Sequence, residues 1–344
     1  MRPLTSTQLL NVLALLLPVA VVAGCLVGPT VIPAAALGEG LSHLVGLSSD
    51  PLSQSGLIVS GIRLPRVLLS ALTGATLACC GAVLQGLFRN PLADPTVIGV
   101  AAGASAGASA AIVFGSLFLA AGTVGLPVVG LGAFVGGLLA SIVVYRLATS
   151  STGTSVATML LAGIAISSLA AAISNLLSYL ADNDMLRRIS LWQMGNLNGA
   201  DWARVAVGAG LLAMLLPLFC RDSRALNAML LGESEARHLG IGVEWLKRRQ
   251  ILLCSMGIGV SISIAGLIAF VGLIIPHLVR LLIGPDHRYL LPAAAMAGAI
   301  LLVLADVVAR VVLAPAELPT GILTALLGVP FFVSLLIQQR RHTV

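Results

Sequence analysis

Ser105 and His277 are the residue types from which a serine nucleophile and its base could be built, and they fall on separate apolar segments. Ser105 lies in Gly103-Ala-Ser105 with Ser109 one helical turn on, a run of small residues, and nothing around it marks an oxyanion hole. An intramembrane protease is therefore the weaker reading. His277 follows a helix-breaking proline, and a lone His in an apolar segment is more often structural than a metal ligand. Cys25, Cys79, Cys80, Cys220 and Cys254 sit in or beside apolar runs without metal spacing and read as small core residues. No Gly-x-x-x-x-Gly-Lys-[Ser/Thr] loop is present to cradle phosphates. No catalytic residue, metal ligand or bound cofactor is expected in this chain.

The remaining chemistry is charge. Arg63, Arg66 and Arg310, with Glu317 nearby, gather beside proline turns at apolar segment ends, where guanidiniums either snorkel to an interface or receive carboxylates of a partner. Leu231 to Gly240 has acids early (Glu233, Glu235), Arg237 and His238 late, and a glycine stop. This order suits a short helix and its dipole, either as a solvated loop or as a helix that docks a partner.

These residues must be positioned by membrane helices. The chain has 344 residues, is 58% hydrophobic and 9% charged, and has a mean hydropathy of +1.06, too apolar for a water-soluble domain. Charge-free windows mark spans, each needing ~20 residues. Ten are expected, near 8–28, 66–86, 95–115, 127–145, 156–180, 203–220, 249–269, 273–283, 289–312 and 319–339. The apolar stretch Leu9 to Val27 is read as an uncleaved first span. Ile251 to Val279 is too long for one span and too short for two, so a full helix should be followed by a short one, broken among Gly266, Gly272 and Pro276. Irregular backbone at membrane depth survives only where protein or a watery path surrounds it, which points to transport.

With the N-terminus inside, Arg63, Arg66, Arg187, Arg188, Arg204 and Arg310 fall outside and the other Lys and Arg of the 19 fall inside. The net charge of +6 then needs no nucleic-acid partner. Gly99, Gly103 and Gly107 form one close-packing face, and Gly132 and Gly136 another. Asp94 is expected to cap a helix beginning at Pro95. A secondary transporter would need midplane acids, whereas Asp94, Asp306 and Glu317 lie near span ends.

Arg63-Leu-Pro-Arg66, Gly81-Ala-Val-Leu-Gln85, Arg89-Asn-Pro-Leu-Ala-Asp-Pro95, Leu161-Ala-Gly163, Trp192-Gln-Met-Gly195, Leu231 to Gly240, Phe270-Val-Gly-Leu-Ile-Ile-Pro-His277, Asp306-Val-Val-Ala-Arg310, Glu317-Leu-Pro-Thr-Gly321 and Gly328-Val-Pro-Phe331 occur in this order. Together they resemble the permease family of ABC importers for ferric siderophores, haem and cobalamin, over nearly the whole chain beyond the first span.

The resemblance implies an all-α polytopic membrane protein of the type II importer permease fold, with about ten transmembrane helices per protomer. Residues 1–344 would form a single permease domain that includes a cytoplasmic coupling segment, 221–249. It further implies a homodimer in the bacterial inner membrane, two cytoplasmic ABC ATPases that use ATP and Mg, and a periplasmic binding protein. Arg63, Arg66 and Arg310 would dock the binding protein. Leu231, Gly232, Glu233, Ala236, Arg237, Leu239 and Gly240 would couple to the ATPase. The fifth span would line the pathway, with Ser155 and Thr158 at its inner gate, although a small polar pair is the commoner family pattern there. Asp184 to Trp192 is similar to the outer mouth of haem and cobalamin permeases. Its Arg187 and Arg188 suit haem propionates, so haem is the expected cargo and cobalamin or a ferric siderophore the alternative.

Overall fold

The computed structural model describes residues 5–47, 51–91, 93, 99–118, 125–150, 153–195 and 197–342. Ten long helices follow the expected spans: α1 Ser6–Leu26, α4 Leu64–Leu87, α5 Val100–Phe118, α6 Leu126–Ala148, α7 Val156–Leu180, α9 Trp202–Arg221, α12 Val243–Ala265, α13 Val271–Ile283, α14 His287–Val312 and α15 Thr320–His342. Five shorter helices lie between them: α2 Ala34–Leu44, α3 Gln54–Ile58, α8 Asn183–Gln193, α10 Ser223–Leu231 and α11 Glu233–His238. A π turn, Val59–Arg63, joins α3 to α4, and a two-stranded hairpin, β1 Thr149–Ser150 with β2 Gly153–Thr154, precedes α7. Asp94 and Pro95, the expected cap, lie outside the described residues.

Among the described residues, six helices are long and apolar enough to cross a membrane: α1, α6, α7, α9, α14 and the continuous helix Gln54–Leu87 that contains α4. Parts of α5, α13 and α15 are apolar but shorter. The charged first turns of α12, which hold Glu244, Lys247, Arg248 and Arg249, leave only its later part apolar.

Helix α4 is the central element. It is buried along nearly its whole length and touches α14, α12, α13 and α9. Its small residues permit this. A Cβ on Gly74 would stand 2.2 Å from the Gly298 carbonyl oxygen of α14, and one on Gly81 1.9 Å from that of Gly272 in α13. Backbone therefore lies on backbone, the packing mode that substitutes for hydrophobic segregation in lipid.

The α5–α6 pair works likewise, with Gly103 against Gly136 and Gly107 against Gly132. Gly99 does not belong to that face. It precedes α5 in a left-handed conformation, φ +78°, and its carbonyl accepts from Gly103.

Candidate functional site

The broken helix is real and enclosed. Helix α12 stops at Gly266, φ +72°, and the chain turns through Phe270, a non-glycine at φ +67°, before α13 begins. A side chain at Gly195 would meet the Leu267 carbonyl oxygen at 2.2 Å, one at Gly321 that of Met194 at 2.3 Å, and one at Gly328 the Phe270 ring at 2.2 Å. Three glycines thus make room for the irregular backbone and shield it. Gln85 completes the seal: its amide nitrogen donates to the Gly272 and Leu273 carbonyls at 3.3 and 3.2 Å, and its amide oxygen accepts from Arg280 at 3.0 Å.

Beside the break lies a cavity of about 300 Å³ bordered by Ser105, Ser174, Asn175, Gln193 and Leu267, where α5, α7 and α8 meet the turn. Ser174 is buried and its hydroxyl has no partner among the described residues. Ser105 is therefore a cavity wall. His277 stands edge-on to Phe331, ring centroids 6.0 Å apart, and is not among the residues of that wall. No nucleophile–base pair is indicated.

At one end of the molecule polar contacts anchor α10 and its cap, and Glu233 of α11 meets the Lys247 ammonium of α12 at 2.7 Å. Gly232, φ +128°, breaks the segment in two, so Leu231 closes α10 and Glu233 opens α11, where a single helix over 231–240 was expected. Asn227 of α10 donates to Asp286 at 2.6 Å and accepts from the His287 backbone at 2.9 Å. Asp222 receives Arg249 at 2.8 Å and Gln250 at 2.6 Å. Burial opposes ionisation of Asp286, but hydrogen bonds from the Arg288 backbone and Asn227 outweigh it and hold the carboxyl below its ordinary range.

On α11, Ala236 faces inward, whereas Glu235, Arg237 and His238 face out, with Leu231 69% and Leu239 62% exposed. Glu233 is partly buried and Gly240, φ +83°, ends the turn. Ser155 and Thr158 are brought together at the same end, as a helix cap. The Ser155 hydroxyl accepts from the Thr158 backbone at 3.3 Å and from its hydroxyl at 3.0 Å, and both side chains are exposed at the start of α7.

At the opposite end Arg63, Arg66 and Arg310 also come together, but inward. They are 5%, 8% and 3% exposed. Arg63 donates to the Cys25 and Leu26 carbonyls at 2.9 and 2.7 Å, satisfying terminal carbonyls of α1 that have no partner within the helix, and to the Thr30 carbonyl beyond it at 2.5 Å. Arg66 bridges Asp306 at 2.9 Å and Glu317 at 2.8 Å. Arg310 pairs with Asp306 at 3.0 Å and donates to the Gly24 carbonyl at 3.0 Å.

The three guanidiniums expected to dock a partner at an outer rim are thus buried and paired within the chain. In low dielectric an unpaired charge is costly, and each of these has acceptors within its own chain. Arg187 and Arg188 remain exposed on α8, which Asp182 caps through the Met185 backbone at 2.8 Å.

Sequence reasoning missed Gln85, Asn227, Asp222 and Lys247 as organising residues. Only the Glu244–Lys247 spacing, i to i+3 on one helix, carried a local signal. The others act across 59 or more positions in the chain, except Asp222, which reaches Arg249 over 27.

The chain matches the FecCD transport family over residues 15–338. It is 44% identical over 281 residues to the hemin transport system permease protein HmuU of Yersinia pestis, covering 82% of this chain and 83% of that one. It is 43% identical over 294 residues to the vitamin B12 import system permease protein BtuC of Salmonella typhi, covering 85% and 87%. An inward-facing structure of a proposed metal-chelate type ABC transporter superposes with a TM-score of 0.81 at 32% identity, covering 96% of this chain and 98% of that one. With one match spanning nearly the whole sequence and these relatives at such identity, the chain belongs to the FecCD transport family.

Proposed function

We propose that this chain is the transmembrane permease subunit of an ATP-driven ABC importer, and that it carries an iron chelate, haem first among the candidates, into the cytoplasm by alternating access. It works as a homodimer in a bacterial inner membrane with its N-terminus cytoplasmic, beside two ABC ATPases and a periplasmic binding protein. The observation that carries this reading is the seat of α11. A six-residue helix flanked by the exposed Leu231 and Leu239 is tied to α12 through the Glu233–Lys247 pair, at the end of the molecule that also carries Arg248 and Arg249. Exposed apolar residues rimmed by charge mark a protein-binding surface.

The outer rim, in this proposal, receives the binding protein by exchange. Glu317 is 30% exposed on its Arg66 pair, so a partner carboxylate can replace it. The exposed Arg187 and Arg188 favour a cargo with carboxylates, such as haem. Cobalamin is the second reading, supported by relatives of nearly equal identity.

Reconstitution with cognate ATPase and binding protein tests the proposal. ATP-dependent uptake of haem, exceeding that of cobalamin or a ferric siderophore, is the expected result. Uptake without ATP would refute the importer reading, and preference for cobalamin would replace the cargo.

A further inference from the structure

We propose that Lys247 is the positioning residue that ties the coupling helix α11 to the hairpin in front of α7, so that movement of one is passed to the other. The proposal rests on the reading of α11 as the ATPase-facing helix and of 155–158 as the inner gate, and adds the link between them.

Lys247 lies on the first turns of α12, 2% exposed. Its ammonium contacts Glu233 of α11 at 2.7 Å, donates to the Thr154 carbonyl of β2 at 3.1 Å and lies 3.7 Å from Glu244 on its own helix. Glu244 in turn accepts from the Thr154 backbone nitrogen at 3.1 Å and lies 3.5 Å from Arg237 of α11. Thr154 is thus gripped through its carbonyl by Lys247 and through its N–H by Glu244, and both gripping groups also reach α11.

Gly153 is held at φ +118° against Glu244, whose carboxylate oxygen would lie 2.7 Å from any Cβ there. Ser155, the residue after Thr154, caps α7. Coupling helix, hairpin and start of α7 are therefore joined through two side chains of α12. A buried lysine with two acceptors in place and a second carboxylate 3.7 Å away holds this geometry firmly, because separating it from Glu233 or Thr154 strands a charge out of water.

Lys247→Met removes the charge while keeping a long, flexible side chain. In the complex with ATPase and binding protein, the variant should assemble and hydrolyse ATP within about twofold of wild type, while transport per ATP falls at least tenfold. Hydrogen exchange supplies a second readout: in wild type, trapping the nucleotide-bound state should change amide exchange across 149–158, and in Lys247→Met that response should vanish. If Lys247→Met does not assemble, Glu244→Gln decides, since Glu244 is partly exposed, with the same loss of transport per ATP and of the exchange response expected. Unchanged transport per ATP, or an unchanged exchange response, in an assembled variant overturns the relay. A wild-type chain that binds no ATPase overturns instead the importer reading on which the relay rests.

Discussion

Asp306 is the anion on which the arginine rim converges. It is fully buried, pairs with Arg66 and Arg310, and accepts from the Thr320 hydroxyl at 3.3 Å. Asp306→Asn keeps the shape but leaves two buried guanidiniums short of one negative charge, a loss of about 3–5 kcal/mol for a broken buried pair. The variant's unfolding midpoint in detergent should drop well below that of wild type, and adding Arg310→Met should recover part of the loss. No recovery would mean that Arg310 is not the stranded charge. Gly81 offers a separate test. Gly81→Val drives a branched side chain into the Gly272 backbone, and overpacking of this kind costs about 1–3 kcal/mol. Gly81→Ser should be milder by the same assay.

At this scale the sequence was legible wherever a residue's type restricts its place. Small residues marked close contacts, and arginines beside proline turns at apolar segment ends fall in one buried ion-pair cluster. Which way those arginines point was not legible, because Asp306 and Glu317 lie 240 and 251 positions from Arg66 and only the fold brings them within 3 Å.

Among the elements, the sequence revealed most where a helix ends for local chemical reasons. Gly266, Gly284 and the Asp286 and Ser155 caps each stop or start a helix near the expected position. The span expected at 66–86 is longer, because the π turn at 59–63 lets α3 run into α4 without a break. No hydropathy signal distinguishes that from a loop.

The small helix α2 is fastened to α3 by Glu39, whose carboxylate accepts from both the hydroxyl and the backbone nitrogen of Ser53. These bonds hold its pKa below the ordinary 4.5. A depressed folded-state pKa contributes stability above the unfolded value, lost as pH falls through the folded one. The α2–α3 contact should therefore loosen below about pH 4.5. Amide exchange over 39–56 should rise there in wild type, and should already be raised at neutral pH in Glu39→Gln. Equal protection in both would show that the clamp carries no weight.

At the scale of the whole molecule, what the chain leaves exposed is as informative as what it buries. Helix α7 is only 17% buried across its apolar window and shows Leu161, Ile164, Leu169 and Leu176 on its exposed side, so contact surface remains for lipid or a second copy. The internal pairing of the rim sets a specific expectation for docking. If a partner carboxylate must replace Glu317 on Arg66, Glu317→Gln removes the competitor and should strengthen binding-protein association about two- to fivefold, the worth of a partly exposed pair. The gain should shrink as salt rises, because charges at a wet rim are screened over ~8–10 Å. Titration of the binding protein against the permease in lipid nanodiscs, at low and high salt, gives both numbers. Weaker binding in Glu317→Gln would instead make Glu317 a direct contact, and an affinity independent of both the substitution and salt would place docking on other parts of the outer surface.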